Sequence, residues 1–172
     1  MELLERFSRG DLEAFEALFR QFQGEVYRWV VRIVRDRAAA EDVTVEALWR
    51  IYRAHARFDP ARSFGAWARR IATNAALDYL KTVRRDVSLS EGAPLAAVQG
   101  PVVDPQVQRA IRRAFYSLPA KLRVAATLAL IEERPYEEIA EALGISAGAV
   151  KIRVFRAVRK LRAKLKELGV EP

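Results

Sequence analysis

The chain has 172 residues, 51% of them hydrophobic and 30% charged, with a net charge of +8 and a pI near 10.2. That length allows one or two domains with a modest core each. No apolar run approaches the roughly 20 residues of a membrane span, no signal-peptide pattern opens the chain, and cysteine is absent, which together predict a cytoplasmic protein without disulfides or thiolate metal sites.

The basic excess points to a polyanionic partner. It is unevenly spread: residues 1–85 carry a net +4, residues 86–108 a net −3 and residues 109–172 a net +7. Two basic bodies are therefore expected on either side of an acidic strip.

Asp11 is suited to cap a first strong helix, in which Phe15, Leu18, Phe19 and Phe22 recur at i, i+3, i+4 and i+7. Gly24 is expected to break it before Val26, Trp29, Val30 and Ile33 continue the apolar face as a second helix. Asp36-Arg37 closes that segment, and a further helix is predicted from Ala38 to about Arg57. It is apolar on two sides, with Val43, Ala47, Ile51 and Ala54 on one stripe and Val45, Trp49 and Tyr52 on another. Asp42 and Glu46 lie between the stripes. A helix of this kind in a small domain predicts a docking partner.

Phe58-Asp59-Pro60 interrupts the pattern, because proline disfavours helix at the residue before it. Ser63 then caps a helix running to about Arg85, with Phe64, Trp67, Ala68, Ile71, Ala72 and Ala75 as its buried stripe. Its other face offers Arg70, Asn74, Leu77, Lys81 and Arg84, a mixture of cations and an amide that suits single-stranded nucleic acid. Residues 86–104, rich in Pro, Gly and Ala and free of basic residues, read as a linker.

Asp104-Pro105 supplies a cap and a first-turn proline, and helices follow near 105–116 and 119–132. A short acidic helix after Pro135, the turn at Gly144, the cap at Ser146 and a long basic helix then lay out a helix-turn-helix. Val150, Val154, Ala157, Val158, Leu161 and Leu165 form the stripe of the last helix, and no acidic residue occurs from Ala147 to Lys166. No alternating strand pattern persists, so the fold class is all-α with two small helical domains.

No catalytic pattern emerges. His55 is the sole histidine, phosphate-binding and dinucleotide glycine motifs are absent, and Glu41, Asp42 and Glu46 make a poor metal site. No catalytic residue, metal or cofactor is expected.

In this order and spacing the motifs resemble those of a bacterial RNA polymerase sigma factor of the extracytoplasmic-function group, over nearly the whole chain. Asp36-Arg37-Ala38-Ala39-Ala40-Glu41-Asp42-Val43 looks like the family's core-binding segment. Arg57-Phe58-Asp59-Pro60 and Trp67-x-x-Arg70-Ile71-Ala72-x-Asn74-x-x-x-Asp78 look like its promoter-melting segment. Leu118-Pro119 and Tyr136-Glu137-Glu138-Ile139-Ala140 through Val150-Lys151 resemble its domain four.

The resemblance implies domain two over residues 1–85 and domain four over 105–172. Asp42, Val45, Glu46 and Trp49 would dock on the clamp helices of the polymerase β′ subunit, and domain four would rest on the β flap. Phe58, Ser63, Arg70, Asn74, Lys81 and Arg84 would take the melted −10 strand. Lys151, Ile152, Arg153, Phe155, Arg156 and Arg159 would read the −35 duplex. An anti-sigma factor is the further partner the family implies.

Three positions depart from the family pattern: Val45 replaces a usual glutamine, Pro135 a capping serine or threonine, and Ile152 a small hydroxyl residue. Ile152 is expected to touch a thymine methyl, the rival reading being burial against an anti-sigma helix. Two other functions compete with the sigma-factor reading. One is a helix-turn-helix regulator acting without polymerase, which leaves residues 1–85 unexplained. The other is an interaction protein for RNA or an acidic membrane surface, which leaves the glycine turn unexplained.

Overall fold

The computed structural model describes residues 1–87 and 104–171, apart from the side chains of 84–87. The expected linker, 86–104, therefore falls almost wholly outside the described residues. Eight α-helices occur among them, and no strand. The chain forms two compact units, one built mainly from Met1–Tyr79 and the other mainly from residues beyond Leu80.

In the first unit, α1 (Glu2–Ser8) leads through Gly10 into α2 (Leu12–Val34). Gly10 has a φ of +87°, and a Cβ there would come within 3.0 Å of the His55 ring, so glycine is required twice over. Asp11 caps α2, its carboxylate accepting from the Ala14 amide at 3.1 Å and from Arg6 Nε at 2.7 Å. The hydrogen bond from Arg6, followed by that from Ala14, holds the Asp11 carboxyl below the usual aspartate range. A carboxyl depressed on folding stabilises the fold above its unfolded pKa, and that contribution is lost as pH falls through the folded value. Asp11→Asn, which keeps a capping oxygen but removes the charge, should thus be less stable than wild type at neutral pH. The gap should close as pH drops below the ordinary aspartate range, as urea unfolding across pH would measure; a gap independent of pH would contradict this.

The break expected at Gly24 does not occur, since α2 is continuous over 23 residues. Interior glycine costs a helix about 1 kcal/mol. Here Leu18, Val26, Trp29, Val30 and Ile33 are buried on either side of it, and their packing outweighs that cost. Arg35, in the left-handed conformation at φ +58°, ends α2. Asp36 caps α3 (Arg37–Arg53), accepting from the Ala39 amide at 3.0 Å. A separate 3-10 turn over His55–Arg57 follows, so α3 stops earlier than the sequence suggested.

Helix α4 (Phe64–Val87) closes the first unit. Ser63 Oγ accepts from the Ala66 amide at 3.3 Å, the cap expected there. Buried Trp29 donates from Nε1 to Thr73 Oγ1 at 2.9 Å, which ties α2 to α4. Leu77, assigned by spacing to the outer face of α4, is buried, as are Thr73, Ala76 and Leu80.

The second unit contains α5 (Pro105–Ser117), capped by Asp104 with proline in its first turn, and α6 (Ala120–Ala126). The helix expected over 119–132 widens after Ala126 into a π turn over Thr127–Ile131. Ala114, Leu118, Ala126, Ala157 and Leu161 form the core, with Phe115, Leu122 and Leu165 packed around it.

Helix α7 (Tyr136–Leu143) starts on the Pro135 carbonyl, which accepts from the Ile139 amide at 3.1 Å. Proline thus serves at this start although it offers no capping hydroxyl. Gly144, at φ +66°, ends α7, and the Ile145 amide donates back to the Ala140 carbonyl at 3.0 Å. Ser146 Oγ accepts from the Ala149 amide at 3.1 Å and opens α8 (Ala147–Glu167). The helix-turn-helix read from the sequence is therefore present.

Candidate nucleic-acid interface

The outer face of α3 is the first of three candidate surfaces. Val43, Ala47 and Ile51 are buried, whereas Val45 and Trp49, one turn apart, are each 57% exposed. Asp42 and Glu46 are exposed beside them. Glu46 accepts from Arg50 at 2.9 Å and from Arg53 at 3.5 Å, and Arg50 also donates to Asp78 of α4 at 2.8 Å. Hydrogen bonds to Glu46 and then to Asp78 raise the Arg50 pKa further, so it stays charged. Of the two stripes in the sequence reading, one is core, and the other is exposed at Val45 and Trp49 with acidic neighbours but half-buried at Tyr52, whose ring lies 4.9 Å from Phe15.

The second surface lies where the end of α3 meets α4. Arg50, Arg53, Ala54, Arg57, Ile71 and Asn74 line an open cleft of about 400 Å³. Its chemistry is cationic, with one amide and one aliphatic wall, and this suits phosphates and an unstacked base. Asn74, Arg70, Lys81 and Ser63 are exposed as expected. Arg84 lies on the same helix, but its side chain falls outside the described residues.

Phe58 departs from expectation. It is 4% exposed, its ring 5.8 Å from Phe7, 5.5 Å from Phe64 and 4.9 Å from Trp67 between centroids. The ring is core and shapes the loop before α4, so it does not present itself to a strand. Arg57 entered the functional reading of the sequence only as part of the promoter-melting motif, and Arg53 not at all. Their one visible signal was position, Arg57 opening the Arg57-Phe58-Asp59-Pro60 motif and Arg53 lying one turn earlier.

The third surface is α8. Val150, Val154, Ala157 and Leu161 are buried, while Lys151, Ile152, Phe155, Arg156 and Arg159 are exposed and Arg153 is half-buried. No group of three or more His, Asp or Glu side chains among the described residues is placed to hold a metal ion. No helix among them is long and apolar enough to cross a membrane.

A helical protein with an open cationic cleft between α3 and α4 and a basic helix-turn-helix near its C-terminus has the make-up of a DNA-recognition protein. Residues 18–86 match the family described as Sigma-70 region 2, and residues 108–161 that described as Sigma-70, region 4. The RNA polymerase sigma factor CarQ of Myxococcus xanthus is 34% identical over 171 residues, covering 98% of each chain. The ECF RNA polymerase sigma-E factor of Escherichia coli is 33% identical over 180 residues, covering 96% of this chain and 94% of that one.

Among solved structures, CnrH in complex with the cytosolic domain of CnrY is similar at a TM-score of 0.57 and 25% identity, covering 96% of each chain. The sigma factor RpoE in complex with the anti-sigma factor NepR from Bartonella quintana shares the fold, at a TM-score of 0.55 and 22% identity over 90% of this chain and 98% of that one. The chain belongs to the sigma-70 family of RNA polymerase sigma factors, in its extracytoplasmic-function group. It is a sigma factor, which binds core RNA polymerase and directs promoter-specific transcription initiation.

Proposed function

We propose that the work of this sigma factor is divided among the three surfaces. Domain two, residues 1–85, docks on the clamp helices of the β′ subunit through Asp42, Val45, Glu46 and Trp49. The observation that carries this is the exposure of Val45 and Trp49 at 57% each on a helix whose opposite stripe is buried. Water-exposed tryptophan beside an aliphatic side chain has the composition of an interface centre, and the acidic side chains next to it that of a polar rim.

The cleft of Arg53, Arg57, Ile71 and Asn74 captures the melted −10 strand, with Arg70, Lys81 and Arg84 following its phosphates along α4. Ser63 and Phe58 hold the loop before α4 in shape. Domain four, residues 105–172, reads the −35 duplex through Lys151, Ile152, Arg153, Phe155, Arg156 and Arg159 and rests on the β flap. Residues 86–104 link the two. The chain performs no chemistry of its own and needs no cofactor; the polymerase supplies catalysis, in the cytoplasm. An anti-sigma factor restrains it, a reading supported by the neighbour whose structure contains such a partner.

Reconstitution tests this. Purified chain, core polymerase and a promoter library should yield specific transcripts that depend on the chain. Tight duplex binding without polymerase, and no transcripts with it, would favour the helix-turn-helix regulator instead.

A further inference from the structure

Two large apolar side chains stand out in water within the cationic face of α8: Ile152 is 53% exposed and Phe155 63%. Neither helps the helix fold, since the buried stripe is complete without them and both residue types are poorer helix formers than Ala, Lys or Arg. Lys151 adjoins Ile152 in sequence, Arg156 lies one turn beyond Ile152, and Arg159 one turn beyond Phe155. With no acidic residue from Ala147 to Lys166, this face is complementary to a polyanion. The apolar pair sits where that polyanion would touch it.

In the major groove the apolar group displayed at a base edge is the C5 methyl of thymine. Side chains at i and i+3 lie about 4.5 Å apart along a helix axis, against about 3.4 Å between base pairs. The pair can therefore meet methyls on neighbouring base pairs. We propose that Ile152 and Phe155 set the sequence preference of α8 by each packing on a thymine methyl of the duplex element. This rests on the assignment of α8 to the −35 duplex and adds which bases it selects and by which atoms.

Uracil lacks only that methyl, so the test is thymine-to-uracil replacement, one position at a time and on both strands, in a −35 element selected by the full chain with core polymerase. Affinity should drop about fourfold at one or two neighbouring positions, the equivalent of one buried methyl group. Ile152→Ala should erase the thymine/uracil difference at one position and Phe155→Ala at the other, while the remaining base preferences persist. Both side chains are exposed, so alanine leaves the fold intact. Sequence-specific binding with equal affinity for thymine and uracil throughout would overturn the inference alone, as would a difference that survives both variants. Absence of any preference in the upstream duplex would overturn the assignment of α8 itself.

Discussion

Replacing Val45 and Trp49 together by alanine should weaken association with core RNA polymerase at least thirtyfold while leaving helicity and unfolding midpoint close to wild type. Each side chain is 57% exposed, so truncation costs the folded chain little. A tryptophan at the centre of an interface, by contrast, typically contributes about 2 kcal/mol or more when removed. Titration of labelled chain with core polymerase would measure the loss, with circular dichroism as the control. Unchanged affinity would move the docking face off α3.

Reversing the charge at Asp42 and Glu46 is a less clean experiment. Glu46 holds Arg50 and Arg53, and Arg50 in turn holds Asp78 on α4, so Glu46→Arg would strain the contact between two helices as well as the surface.

Phe7→Ala should destabilise the first unit by about 3–5 kcal/mol, the usual cost of emptying an aromatic site. Against a total stability of about 5–15 kcal/mol for a domain, that is a large share. Phe7 is fully buried, with Phe15, His55, Phe58, Phe64 and Trp67 around it at centroid distances of 5.4–6.4 Å. It joins α1 to the loop before α4, so its loss should also reduce capture of a melted −10 strand. Trp29, Trp49 and Trp67 all lie in this unit, so tryptophan fluorescence during urea unfolding reports on it directly. Phe7→Leu, which refills much of the volume, should recover most of the loss. A midpoint shift of less than a few tenths of a molar in Phe7→Ala would mean that the cluster is not the anchor proposed.

The features legible in the sequence were those that local chemistry sets. The caps at Asp11, Ser63, Asp104 and Ser146 each satisfy backbone amides within three residues of themselves. The angular split of α3 and the turn at Gly144 likewise depend on near neighbours. Long-range packing decided the remainder. Helix α1 spans seven residues, too short for a periodic signal, and persists because Phe7 and the Ser8 carbonyl meet His55 some 47 positions later. Gly24 stays helical because of what its neighbours bury. The resemblance assigned Phe58 to the melted −10 strand, yet the ring turns inward onto Phe7, Phe64 and Trp67, which sequence proximity alone does not reveal. Arg53 and Arg57 join Asn74 only once α3 and α4 are packed.

The central claim is that one chain reads two promoter elements with two separate surfaces. Its most direct measurement is promoter selection from a randomised library by core polymerase carrying wild-type chain, Arg156→Ala or Asn74→Ala. The account predicts that Arg156→Ala relaxes preference at upstream duplex positions only, by roughly 1–3 kcal/mol if the contact is bidentate, and that Asn74→Ala relaxes it at downstream melted positions only. Loss of preference at the same positions in both variants, or at none in either, would contradict it.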